Sequence, residues 1–188
     1  MANHPSIEYV VLVDDGNNVL GTAPKATIHG ETTPLHRGFS LFVFNRRGQT
    51  LLQQRALTKI TWPGVWSNSV CGHPAPGETS AQAATRRARE ELGLVLMDAA
   101  EIAPYRYRFS HRDIEENEIC PLVVATTDRQ PQPNEAEVAA VRWVDWDAFC
   151  EEISEHPGRY SEWCEEEIVV LQRTPAFTHW YHDLIAAI

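Results

Sequence analysis

At 188 residues the chain has the length of one compact domain with a real hydrophobic core. Its 43% apolar and 22% charged residues exclude a fibrous, repeat-built or disordered protein. The formal charge of −10 argues against nucleic acid as a partner, because a phosphate-backbone binder carries a basic excess on some face. An anionic small molecule stays open, since a few clustered cations can dominate a pocket.

Met1 to Val13 lacks a basic segment followed by an apolar run, so no secretory signal is expected. No stretch approaches the roughly 18 apolar residues that span a bilayer, so no membrane partner is expected either. Cys71, Cys120, Cys150 and Cys164 form no CxxC pair, which suits reduced thiols in a cytoplasmic protein.

In chain order, Tyr9–Val13 is β-rich and stops at the turn cluster Asp14–Asn18, and Val19–Gly21 resumes as the second arm of a hairpin. Ser40–Asn45 and Thr50–Arg55 read as strands around the turn Arg46–Gln49. Val65–Val70 runs into Cys71-Gly72-His73-Pro74, where Pro74 forbids a helix interior. Thr79–Leu92 is the clearest helix, capped by Thr79 or Ser80 and ended by Gly93. Strands are expected at Tyr105–Ser110, Glu118–Thr126 and Val138–Val144, and helices at Trp146–Ile153, Trp163–Leu171 and Phe177–Ile188. The acidic run Glu162, Glu165, Glu166 and Glu167 reads as a solvated helix face. This mixture predicts α/β (α+β) layering in a single domain, 1–188, with no internal repeat and no long linker.

The segment 72–94 carries the most information. Gly72 is followed after five residues by Glu78, then after seven by Arg86-Arg87-Ala88-Arg89-Glu90-Glu91-Leu92-Gly93-Leu94. Arg86 and Glu90, like Arg87 and Glu91, lie i,i+4 on a helix face. A loop feeding a helix that bears carboxylates suits Mg²⁺ bridged to phosphates. The pattern resembles the Nudix signature at Gly72, Glu78, Arg86, Glu90, Glu91 and Gly93. The resemblance implies a mixed sheet sandwiched between helices, here with an N-terminal β extension. Two positions depart from it: Arg87 stands where a metal-binding Glu is expected, and Ala88 where a larger aliphatic is. A cation at Arg87 disfavours hydrolytic metal binding but suits a phosphate oxygen.

Further segments narrow the resemblance. Trp62-Pro63-Gly64-Val65-Trp66-Ser67-Asn68-Ser69-Val70-Cys71-Gly72-His73-Pro74 is similar to the cysteine-loop motif of type I isopentenyl-diphosphate isomerases. Glu116-Asn117-Glu118-Ile119-Cys120-Pro121 resembles their glutamate motif, and Tyr160-Ser161-Glu162-Trp163 their late tryptophan segment. The likeness runs from about Val10 to Trp163. It implies interconversion of isopentenyl and dimethylallyl diphosphate, a step that protonates an unactivated double bond and removes a proton two carbons away. An acid and a base must flank the resulting tertiary carbocation.

By that resemblance Cys71 and Glu118 are the acid–base pair. Tyr107, with Tyr105 as the alternative, hydrogen-bonds near Glu118. Trp163 offers its π face to the cation, an attraction of about 0.5–2 kcal/mol. Cys71 is expected as an exposed loop thiol beside His73, and the other cysteines as buried hydrophobes. His29, His36, His73, Glu116 and Glu118 form an expected metal site, imidazole with carboxylate suiting Mn²⁺, Zn²⁺ or Fe²⁺ and tolerating Mg²⁺. The resemblance favours Mg²⁺ or Mn²⁺ there. Glu91 is assigned a second, substrate-bridging Mg²⁺, with the Cys71 carbonyl. Lys25, Arg55, Lys59 and Arg87 are assigned to the diphosphate. His4, His111, His156, His179 and His182 receive no role, and a monomer is expected.

Overall fold

The computed structural model describes residues 7–186. Its elements begin with strands β1 (Tyr9–Val13) and β2 (Val19–Pro24), helix α1 (Lys25–Ile28), and strands β3 (His36–Arg37), β4 (Phe39–Phe44) and β5 (Gln49–Arg55). Short strands β6 (Trp66–Ser67) and β7 (Val70–Gly72) precede helix α2 (Ser80–Leu92). Then come β8 (Met97–Ala103), β9 (Arg106–His111), β10 (Ile114–Ile119), β11 (Leu122–Thr126) and β12 (Val138–Asp145). Helices α3 (Trp146–Glu155), α4 (Glu162–Arg173) and α5 (Pro175–Ala186) follow. The expected mixed α+β architecture is the one observed. Residues 1–6 and the last two of the expected final helix, with His4, lie outside the described residues.

Two mixed sheets organise these elements. The smaller, ordered β2-β1-β3-β10-β9, supplies the N-terminal extension; the larger runs β12-β5-β4-β11-β8, with β6 on β5 and β7 on β4. Strand periodicity of two explains why helices cover both faces of the large sheet. Phe39, Leu41 and Val43 of β4 and Val123 and Ala125 of β11 pack with Ala83, Ala84, Ala88 and Leu92 of α2. The alternate residues Phe42, Phe44, Leu122 and Val124 face Trp146 and Phe149 of α3, Trp163, Ile168 and Leu171 of α4, and Phe177 of α5.

Local chemistry fixes the ends. The Asp14 carboxylate accepts from the backbone N–H of Gly16 (2.9 Å) and Asn18 (2.8 Å), closing the first hairpin. Helix α2 starts in a capping box: Thr79 Oγ1 accepts from Gln82 N, and the Gln82 side chain accepts from Thr79 N. It stops at Gly93, whose φ of 63° is left-handed and whose N–H reaches back to the Ala88 and Arg89 carbonyls.

Several expectations are corrected. The strand expected over Glu118–Thr126 is two strands in different sheets, β10 and β11, parted at Cys120-Pro121. Proline has no N–H for a ladder, so the chain changes sheet there. The acidic run of α4 is not wholly solvated: Glu167 is fully buried, because Trp163, Cys164, Glu167, Ile168 and Leu171 form the inward stripe. Strand β8, Ala- and acid-bearing, carries no regular alternation, and α1 and β3 are too short for a periodic signal. Leu92→Ala, at the fully buried end of α2, is expected to cost about 2–5 kcal/mol in urea unfolding. A loss below about 1 kcal/mol would show that α2 is not held by this contact.

Candidate active site

A cavity of about 630 Å³ opens where the two sheets meet. Every residue assigned a role from the sequence lines it, except His36 and Glu91. The smaller sheet brings Tyr107 on β9 and Glu116 and Glu118 on β10; the larger brings Arg55 at the end of β5 and Cys71 on β7. Lys25 opens α1, His29 ends it, Arg87 projects from α2, and Trp163 sits in the first turn of α4.

His29, His36, His73 and Glu118 present one ligand atom each, all within 4.8 Å of one another. Strand pairing explains part of this, since His36 of β3 lies opposite Glu118 of β10 in a parallel register. His73 Nε2 is 3.0 Å from Glu118 Oε1, and His36 Nε2 is 3.4 Å from the same oxygen. The His36 Nδ1–H donates to the Pro34 carbonyl (2.8 Å), which leaves its Nε2 lone pair aimed into the group. His29 Nε2 and His36 Nε2 are buried and accept no hydrogen bond. Such orphaned lone pairs beside a carboxylate fit a divalent cation.

The electrostatics of His29 and His73 agree with a ligand group. Burial, then the neighbouring His73, pulls His29 down to about 4, so its imidazole is neutral, the form that ligates. Burial also lowers His73, against Glu118. Burial alone would raise Glu118, but His73 and His36 outweigh it and hold the carboxyl well below its ordinary value. Burial alone would lower His36, but Glu118, the Pro34 carbonyl and Glu116 together raise it.

Glu116, expected as a fifth ligand, lies outside this group. Its Oε2 accepts instead from the Tyr107 hydroxyl (2.9 Å). Tyr107 faces Glu118 across the β9–β10 ladder and stacks at 6.1 Å on Trp163. Tyr105 points elsewhere, donating to Glu166 (2.8 Å). Cys71 is not on an exposed loop: it lies on β7 opposite Ser40 of β4, because the Val70–Gly72 backbone finds a partner strand. Burial, then the nearby Glu167, pushes its thiol well up, so it is protonated at neutral pH. The thiol is 3.0 Å from Asn68 Oδ1 and 3.4 Å from Ser40 Oγ.

The cations arrive with counter-charges. Lys25 pairs with Glu8 (2.6 Å), Lys59 with Glu137, and Arg87 with Glu91 (2.6 Å) and Glu90 (3.2 Å). Arg55 donates to the Thr61 carbonyl and lies 5.8 Å over the Trp163 ring. Glu91 stands behind Arg87, off the cavity wall and away from the histidines. The signature residues Glu78 and Arg86 form a two-pronged pair (2.9 and 2.8 Å), and Arg86 also reaches the His73 carbonyl, tying the metal-side loop to α2.

Sequence reasoning did not single out Gly38, Glu8 or Glu137. Gly38 lies between β3 and β4, and any Cβ there would overlap Glu118 Oε2 and crowd Cys120 Sγ. A bare glycine between two strands was its only signal.

The NUDIX domain family model matches residues 34–164, which sets the class of the protein. Among solved structures, DR0079 of Deinococcus radiodurans superposes with a TM-score of 0.66 at 21% identity, covering 89% of this chain and 99% of that one. A MutT NUDIX hydrolase of Burkholderia pseudomallei gives 0.57 at 19%, covering 72% and 96%. At these identities the likeness is one of fold. The isopentenyl-diphosphate Delta-isomerase of Saccharopolyspora erythraea is 48% identical, over 88% of this chain and 86% of its own. That of Klebsiella pneumoniae is 45% identical, over 83% and 86%. The chain belongs to the NUDIX family and, within it, to the isopentenyl-diphosphate Delta-isomerases.

Gly38→Ala is expected to weaken Mn²⁺ binding, read by calorimetry, by about 10–100-fold through displacement of Glu118. Unchanged affinity would mean that the close approach of Gly38 does not set the ligand group.

Proposed function

We propose that the protein interconverts isopentenyl and dimethylallyl diphosphate by proton addition and removal, supplying isoprenoid biosynthesis. The observation that carries this reading is a cysteine and a carboxylate lining one cavity from different sheets, with cations beside them. In this scheme one of Cys71 and Glu118 gives a proton to the double bond, and the other takes one from the carbon two positions away. The protonated thiol and the ionised carboxylate are complementary starting states for that exchange. Trp163 and Tyr107, stacked on the wall, present π faces to the tertiary cation and keep water from it.

Lys25, Arg55, Lys59 and Arg87 hold the diphosphate in this reading, Arg87 as a two-pronged clamp. When bound, a divalent cation at His29, His36, His73 and Glu118, Mg²⁺ or Mn²⁺ by preference and Zn²⁺ as the alternative, supplies a fixed positive charge that orients the Glu118 carboxylate, and a substrate-bridging Mg²⁺ neutralises phosphate charge. Glu116, through Tyr107, and Glu91, through Arg87, support those sites from behind. Among the described residues no helix is long and apolar enough to cross a membrane. A cytoplasmic monomer acting as one catalytic domain is the reading we adopt.

The test is isopentenyl diphosphate with Mg²⁺ in deuterated water, followed by proton NMR. Two dimethylallyl methyl signals with deuterium incorporated are expected, and an unchanged spectrum from metal-loaded protein sinks the proposal. Cys71→Ala and Glu118→Gln should each lower turnover by about 10²–10⁴-fold. Arg87→Ala should raise KM by roughly 10–100-fold, the worth of a charge-assisted contact of about 1.5–3 kcal/mol. Unchanged KM and turnover would remove Arg87 from the diphosphate site.

A further inference from the structure

Asn68 is fully buried between β6 and β7, and the reaction scheme above gives it no part. Its amide nitrogen donates to the carbonyls of Leu41 (3.2 Å) and Val70 (3.3 Å). Its oxygen accepts from Ser67 Oγ (2.7 Å), Cys71 Sγ (3.0 Å) and Trp163 Nε1 (3.2 Å). An amide can in principle sit either way round, but these partners allow one orientation. The indole N–H only donates, so the oxygen must face Trp163; the two carbonyls only accept, so the NH₂ must face them. With the oxygen so fixed, Cys71 bonds to Asn68 only by donating its S–H.

We propose that Asn68 is a positioning residue for the isomerisation, its one side-chain oxygen setting the Cys71 thiol and the Trp163 ring in a common register at the cavity wall. The inference rests on the reading of Cys71 and Trp163 given above. The oxygen has two lone pairs and three donors. The thiol can therefore leave it for the substrate while Ser67 and Trp163 keep it satisfied, so releasing the thiol leaves no buried acceptor bare. Ser161 Oγ, 2.8 Å from Ser67 Oγ, anchors the third donor to the start of α4, which also carries Trp163. One amide thus ties β7, β6 and α4 together at the reacting end of the cavity.

The test combines the Cys71 S–H stretching band, isolated by infrared difference against Cys71→Ala, with the kinetics of Asn68→Ala and Trp163→Phe. A hydrogen-bonded band is expected in the parent, moving towards the free-thiol position in Asn68→Ala. In that variant kcat should fall by about 100-fold, with KM changed by less than about threefold, as for a misplaced reacting group. Added to Trp163→Phe, the same change should cost much less than it does alone. A free-thiol band in the parent, a parental kcat in Asn68→Ala, a loss carried by KM, or fully multiplicative losses would each overturn the inference. Should Asn68→Ala not fold, Trp163→Phe still decides: it removes a competing donor, so the thiol band must move further to the bonded side. An inactive parent would overturn the isomerase reading, while the infrared band would still decide the place of Asn68.

Discussion

The Glu118 carboxylate occupies the space that a side chain at Gly38 would fill, and the remainder of the cavity is arranged around it. Its backbone place is fixed by pairing with β3 on one side and β9 on the other, which puts His36 and Tyr107 beside it. Burying an ionised carboxyl is expensive unless it is paired or coordinated. Here His36 and His73 close on one oxygen of the carboxyl, and they bring His29 within reach, the arrangement a shared cation would satisfy. The histidines and the carboxylate thus form one group at a dry location.

Much of this was legible in the sequence, for identifiable reasons. The hairpin at Asp14–Asn18 and the helix after Thr79 are written in local chemistry, and local chemistry survives folding. The site was legible because its residues sit in spaced motifs, so the cavity gathers nearly all of them. What stayed hidden depends on contacts between distant parts of the chain. Asn68 reaches Trp163 across 95 residues, and Glu137 meets Lys59 across 78. No periodicity encodes such pairings. The two-sheet fate of Glu118–Thr126 was misread because an apolar run looks the same whether it stays in one sheet or crosses to another. Glu167 was misread because acidic residues are rarely buried alone.

The cavity's cations are engaged before any ligand arrives. Lys25 and Lys59 lean on Glu8 and Glu137, and Arg87 is shared among several carboxylates. In the proposed reading, diphosphate binding is an exchange of partners. The anion gains only the difference between its own contacts and those it displaces. This favours a multiply charged, multidentate group over a single carboxylate. The same reading lets a chain of net charge −10 take an anionic substrate, because the positive groups are gathered at the cavity.

Cys71 belongs to the larger sheet and Glu118 to the smaller, and the chain passes between the two at Gly38, between β8 and β9, and at Cys120-Pro121. The spacing of Cys71 and Glu118 is thus a distance between sheets, not a distance within one. In the reading proposed above, a slight shift between the sheets would change the gap between the two groups without unpairing the strands of either sheet. Cys120-Pro121, one of those passages, joins the strand that carries Glu118 directly to β11, the neighbour of β4, on which β7 and Cys71 are paired, so it bears on that gap although neither of its residues has been assigned any part in the chemistry.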